Sequence, residues 1–157
     1  MVYKRKTWTE KLHDSKDLPK VRKITSKQAK YWGVGTIVIP KPLEVDELMR
    51  KVPKGRVTTI NEIRETLAKK HGATIGCPIT CGIFARIAAE AAEEQKAKGA
   101  KNTTAYWRTL RQGGEVNPKY PGGVEGQKRH LEAEGHNVVQ KGERAFVADY
   151  QKILVSL

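Results

Sequence analysis

Residues 102–135 read NTTAYWRTLRQGGEVNPKYPGGVEGQKRHLEAEG, and the fold of the whole chain turns on the change of backbone regime inside this stretch. Up to Gly123 the residues are irregular and rich in Gly, Asn and Pro, which favour turns over repeating backbone. From about Val124 to Glu134 the pattern becomes helical, and Gly135 supplies the C-cap. The irregular part carries an aromatic pair, Tyr106-Trp107, followed directly by Arg108. Beyond the helix, Val138-Val139 and Ala145-Phe146-Val147 flank Gln140-Lys141-Gly142-Glu143, the pattern of a hairpin. A last helical turn or two is expected over Asp149 to Leu154.

Upstream, two helices are expected. Thr59-Ile60-Asn61-Glu62 matches a capping box, in which Thr59 caps the helix and Glu62 reaches back. Ile60, Ile63 and Leu67 then share a face until Gly72 ends the helix. A second helix starts near Thr80. Ile83, Phe84, Ile87, Ala88 and Ala91 line one face, and Lys96, Lys98 and Gly99 close it. Such a pair, joined by about ten residues, suggests a helix-turn-helix arrangement. Before it, residues 34–39 read as a short strand stopped by Pro40 and Pro42, and Leu43 to Met49 as a short helix broken by Pro53 and Gly55. Residues 1–33 read as a basic N-terminal extension of little periodicity, with Trp8, Leu12, Leu18, Val21 and Ile24 as scattered apolar anchors.

Together these pieces resemble the alkylguanine-DNA alkyltransferase family, the methylated-DNA–protein cysteine methyltransferases, over roughly residues 43–140. Ala105-Tyr106-Trp107-Arg108 stands where the family has Pro-Cys-His-Arg, and Tyr120-Pro121-Gly122-Gly123 where it has Tyr-Ser-Gly-Gly. Glu134-Gly135 matches the closing Glu-Gly. The run Val52-Pro53-Lys54-Gly55-Arg56-Val57-Thr58-Thr59 resembles Ile-Pro-Tyr-Gly-Lys-Thr-Val-Ser, and Asn61-Glu62-Ile63 matches Gly-Glu-Ile.

The resemblance implies a mainly α domain with a small β hairpin, a winged-helix-like DNA-binding domain over residues 34–157. It also implies entry of the second helix into the minor groove and extrusion of a damaged guanine. The family's nucleophile is missing: Tyr106 holds the cysteine slot and Trp107 the histidine slot. A phenol with an ordinary pKa near ~10 and no imidazole base is a poor nucleophile at neutral pH. The alkyltransferase-like branch, which also lacks the cysteine and binds alkylated guanine without repairing it, is the better match. The implied lesion pocket is Tyr106, Trp107, Arg108, Glu134, Gly122 and Gly123, with the two aromatics as stacking faces. The implied duplex contacts are Thr59, Thr80, Gly82, Arg86 and Asn102. Two departures bear on base flipping. Ile60 stands at the family's phosphate-pressing tyrosine and Gly82 at its stack-filling arginine, with Arg86 one turn further along.

Composition fits a basic protein with a nucleic-acid partner. The formal net charge is +13, from 30 basic and 17 acidic residues, a field that favours polyanions. Residues 1–30 hold ten Lys or Arg against three acids. No apolar run reaches the ~20 residues of a membrane span, and no apolar core follows the basic Lys4-Arg5-Lys6, so neither a membrane segment nor a secretory signal is expected. The two cysteines, Cys77 and Cys81, are too few for a disulfide framework, which suits a reducing cytoplasmic setting. His13, His71, His130 and His136 show no metal-ligand spacing, so no metal or cofactor is expected.

The expected partners are double-stranded DNA, plain or alkylated, and an excision-repair protein. Two rival readings stay open. One is an alkyl-acceptor enzyme using Cys81, whose place in a helix's first turn favours the thiolate. The other is a basic DNA- or RNA-binding module without lesion recognition.

Overall fold

The structure, a computed structural model, describes residues 5–157; Lys4 of the basic run lies outside them. Among the described residues, three small sheets and six α-helices are arranged around two main cores. Helix α3 (Pro42–Arg50) begins on a proline, whose missing N–H costs nothing at a first helical turn. Its buried Glu44 accepts hydrogen bonds from Lys41 N at 3.1 Å, Lys70 Nζ at 3.0 Å and His71 Nε2 at 2.6 Å. That pins α3 to the end of α4 (Ile60–His71). The Thr59 hydroxyl accepts from Glu62 N at 3.4 Å, so the Thr59 half of the expected capping box is made, and Gly72 ends α4 in the left-handed conformation.

Helix α5 (Pro78–Ala97) starts two residues before the expected Thr80, because Pro78 takes the first helical position behind Cys77. Its inward face is an alanine face: Cys81, Ala85, Ala88, Ala89 and Ala92 are buried. Phe84 and Ile87 are half-buried against the same core, whereas Ile83, expected on that face, is 51% exposed. Small side chains there let α1 (Trp8–His13), α3 and α4 approach α5 closely, and a β-branched residue would hold them apart.

The stretch 1–33 differs most from its expected form. Helix α1, strand β1 (Lys20–Lys23) and helix α2 (Ser26–Trp32) lie within it. An isolated six-residue helix has no stability of its own in water. Here α1 buries Leu12, a gain of about 2 kcal/mol. Its Trp8 and Thr9 N–H groups each donate at 3.1 Å to the Glu94 carboxylate on α5. Strand β1 pairs antiparallel with β2 (Thr36–Ile39), which pairs in parallel with β4 (Ile75–Gly76). Gly76 is required at that crossing, since a Cβ there would lie 2.6 Å from the Arg64 carbonyl oxygen.

The second core gathers Val57, Leu110, Val116, Leu131, Val138 and Val147. Strands β3 (Thr58–Thr59) and β5 (Thr109–Leu110) pair in parallel. The expected hairpin forms as β6 (Val138–Lys141) and β7 (Arg144–Val147). Helix α6 (Gly123–Ala133) follows the irregular loop and ends on Glu134, one residue before the expected Gly135. The chain is thus mainly helical with three small sheets among the described residues; the expected hairpin is one of them, and the strand expected at 34–39 forms as β2 in another. The parallel pairings β2–β4 and β3–β5 were missed because each joins a two-residue strand too short to leave a sequence period.

Candidate nucleic-acid interface

A groove of about 800 Å³ runs along the first half of α5, between α1 and the loop that follows β5. Ile60, Ala85, Leu110 and Tyr120 are among the residues that line it. Five cations line it as well: Lys11, Arg64, Arg86, Arg111 and Lys119. Among the described residues no Asp or Glu does so. Arg64 is tied down, its Nε donating to the Gly76 carbonyl at 3.0 Å. Lys11 lies over the Trp8 ring at 4.2 Å, with the Arg86 guanidinium 5.7 Å from the same ring. Arg86 also has Glu90 at 4.0 Å, and Arg111 has Glu115 at 3.7 Å; both pairs are partly exposed and hold their cations weakly.

Of the expected duplex contacts, the groove takes in Gly82 and Arg86. Thr59 is buried as the cap of α4. The Thr80 hydroxyl is shielded from solvent in the first turn of α5. Asn102 is exposed beyond α5, its carbonyl accepting from Arg50 Nη1 at 3.2 Å. Lys11, Ile79, Arg111 and Lys119 line the groove without having been singled out from the sequence, and Trp8 was read there only as an apolar anchor. For the three cations the one signal was the general basic surplus.

The residues expected to form a lesion pocket divide differently. Tyr106 is 2% exposed, and its hydroxyl donates to Glu93 Oε1 on α5 at 2.7 Å. Burial, then Glu93, pushes its phenol well above the ordinary range. Tyr106 lines a second cavity of about 440 Å³ with Glu93, Gly122, Arg129 and His130. It meets the groove only indirectly, by edge-on contact with Tyr120 at 5.5 Å between ring centroids. Trp107 is stacked on His130 at 4.0 Å with an interplanar angle of 10°. The two aromatics therefore do not present the free stacking faces expected of them: one is buried edge-on among rings, and the other has a face covered by an imidazole. Burial lowers the His130 pKa, with Lys96 adding to the effect.

Arg108 and Glu134 form a clamp rather than a pocket wall. Arg108 Nε and Nη2 donate to the Glu134 carboxylate at 2.9 and 2.7 Å, and Nη1 donates to the Val52 carbonyl at 2.9 Å. Burial pushes the Glu134 carboxyl up. The bonds from Arg108, with the Trp107 indole beside them, outweigh it, and the group stays below the ordinary carboxylate range. Gln127 completes the bracing: it is fully buried, its Oε1 accepts from Asn117 N at 2.7 Å, and its Nε2 donates to the Trp107 carbonyl at 3.0 Å. Nothing in the sequence marked it beyond a polar residue on a helix. Gly122 and Gly123, at φ +83° and +64°, make the backbone turn into α6 that other residues rarely adopt.

Cys81 is not an available nucleophile. It is fully buried, and burial, with Cys77 beside it, pushes its thiol up to about 12. The first-turn position that favours a thiolate is overridden by the loss of water around it. Cys77 is buried too, and both thiols are free.

No family model matches this sequence, and no curated protein matches it. Among solved structures it is similar to S. pombe Atl1 in complex with damaged DNA containing O6-carboxymethylguanine. The TM-score is 0.50 at 18% identity, covering 74% of this chain and 94% of that one. At that identity the likeness is one of fold: a mainly helical chain with small sheets, of the architecture seen in Atl1.

Proposed function

We propose that this chain is a non-catalytic, alkyltransferase-like protein that binds duplex DNA through the α5 groove and recognises alkylated guanine there. The observation that carries the reading is the groove itself, lined by five cations and, among the described residues, by no carboxylate. Phosphates supply most of the affinity of such a surface. The similar fold of a protein solved on damaged DNA, and the sequence resemblance to the same family, support the lesion part of the reading.

The non-catalytic part rests on chemistry. The family's thiolate slot holds a phenol that is buried, bonded to a carboxylate and harder to ionise than an ordinary tyrosine. The thiol of Cys81 is buried and protonated at neutral pH. A bound lesion is then left for another activity, and a partner from excision repair belongs to this reading.

The test is a pair of duplexes that differ only in O6-methylguanine against guanine, titrated by fluorescence anisotropy, with intact-protein mass spectrometry after incubation. Tighter binding of the alkylated duplex with unchanged protein mass is expected. Equal affinities would reduce the protein to a plain duplex binder, and no duplex binding at low salt would sink the proposal. A stoichiometric gain of methyl mass would make it an enzyme.

A further inference from the structure

Strand β1 and helix α2 lie outside the stretch that carries the family resemblance, and residues 18–40, which contain them, hold five Lys or Arg and no Asp or Glu. All five, Lys20, Arg22, Lys23, Lys27 and Lys30, are exposed. Most of that charge is uncompensated. Lys20 has Asp17 at 3.1 Å, itself exposed, a pair that contributes little. Arg22 donates to a neutral partner, Gln28 Oε1, at 3.3 Å. Among the described residues no ion pair engages Lys23, Lys27 or Lys30. The fold gathers these charges together. Ala29 and Trp32 pack α2 onto the core of Ile24, Ile37 and Cys77. Lys27, Lys30 and Tyr31, at i, i+3 and i+4, are exposed on the opposite side of the helix. Lys20 and Arg22 pair with Ile39 and Ile37, so they share the sheet face that α2 covers. Cations on an edge strand often serve to repel strand addition. That accounts for β1 but not for Lys27, Lys30 and Tyr31, which stand on a helix with no edge to guard. Tyr31 is 85% exposed, a hydroxyl held out in solvent beside two cations.

The same core sets this surface against one end of the groove. Cys77 belongs to it, and the next two residues, Pro78 and Ile79, open α5 and line the groove. Strand β4 ends one residue before Cys77, and the sheet runs from it through β2 to β1. Two strand spacings, about 10 Å, therefore separate β1 from the chain that enters α5. Resting on the proposed duplex binding, we infer that β1 and α2 form a second phosphate-binding surface, which continues the groove past the start of α5 and holds the backbone of the flanking DNA. Phosphates recur along a strand every ~3.4 Å, so the added reach takes in about three further nucleotides of a strand. Lysines, an arginine and a tyrosine hydroxyl are groups that position a duplex by its backbone and carry no base readout. The surface therefore adds the same affinity on plain and on alkylated DNA, and discrimination stays with the groove.

The experiment compares the wild type with Lys23→Gln/Lys27→Gln/Lys30→Gln on two labelled DNA hairpins, one with a stem of about 6 base pairs (~20 Å) and one of about 20, by anisotropy over a salt series. Comparing the two proteins on one stem cancels the weaker ion atmosphere of short DNA. On the long stem the salt slope of the triple variant should be lower by about 2.7, three cations at ~0.9 each. On the short stem, which the groove alone can fill, the slopes should agree. Arg111→Gln/Lys119→Gln should lower the slope on both stems. An unchanged long-stem slope, in a triple variant that unfolds like the wild type, would overturn the second surface and leave the groove standing. An equal drop on both stems would mean that these lysines meet the DNA held in the groove, and would overturn the flanking contact. If the triple variant loses binding while the groove variant keeps it, the groove reading falls and the extension falls with it. A wild type that binds neither stem overturns both readings. Binding to phosphatidylserine vesicles that the triple change abolishes, with the DNA slopes untouched, would assign the surface to a membrane and overturn the proposal.

Discussion

Replacing Arg111 and Lys119 together by glutamine is the most direct quantitative probe of the groove. Both side chains are exposed and line it. Arg111 has one ion-pair partner, Glu115 at 3.7 Å, and Glu115 keeps Arg144 at 3.0 Å whether or not Arg111 is present. An exposed pair of that length contributes about 0–1 kcal/mol, so the fold should survive the double change. If each of the five groove cations neutralises one phosphate, log Kd should rise against log salt with a slope of about 4.5 for the wild type and about 2.7 for the variant. Between roughly 50 and 200 mM salt, that is an affinity loss of about 500-fold for the wild type and about 40-fold for the variant. Anisotropy titrations of a short labelled duplex at several salt concentrations give both slopes, and thermal unfolding checks the fold. An unchanged slope in a variant that unfolds like the wild type would refute the groove as the phosphate-binding surface. Deleting residues 1–30 would not test the same thing, because it removes α1 and β1 along with the charge.

Tyr106→Cys, alone or with Trp107→His, should not give stoichiometric alkyl transfer by intact-mass measurement, because a thiol at this buried position loses the water that a thiolate needs. The single change should also lower stability by about 3 kcal/mol, since it empties the volume of a buried ring. Glu134→Gln should cost about 3 kcal/mol, lowering Tm by about 6–12 °C, because it leaves the half of the clamp on Arg108 without its anion. The folded Glu134 carboxyl lies below its unfolded value, so its contribution is complete above about pH 4.3 and is lost as pH falls through the folded value. The stability gap between wild type and Glu134→Gln should therefore be flat at neutral pH and shrink in acid, and a gap that does not shrink as pH falls would contradict the clamp. Native Cys81 should resist alkylation by iodoacetamide at neutral pH and react after unfolding; fast native labelling would contradict its burial.

Helix α4 was legible because its determinants are local: the Thr59 cap, the apolar positions Ile63 and Leu67, and the Gly72 stop lie within fourteen residues. The same holds for the β6–β7 hairpin around Gly142 and for α6 after the double glycine. The caps of α1 and α2, Thr7 with Glu10 and Thr25 with Gln28, are local signals, but where these short helices dock was not legible. Glu94 receives the N-terminus of α1 across 85 and 86 positions, and β1 has no buried face to give it a period of two. Within the site, the motif around Tyr106 located a real structural node, yet the partners that define it, Glu93, His130 and Gln127, came from positions of α5 and α6 that no motif marks.

The sequence alone determined the helices from α3 onward, the turn glycines, the basic surplus and the loss of the family's cysteine and histidine, because each is a property of neighbouring residues or of composition. The sidedness of α5 was left to the tertiary structure. Its alanines at 81–92 (with Cys81 at their head) and its isoleucines at 79, 83 and 87 both recur with a helical period, so either set satisfies the pattern. The packing of α1, α3 and α4 selected the small set for the interior, because only small side chains allow helices so close an approach. Ile79 and Ile83 were thereby turned outward into a groove of cations.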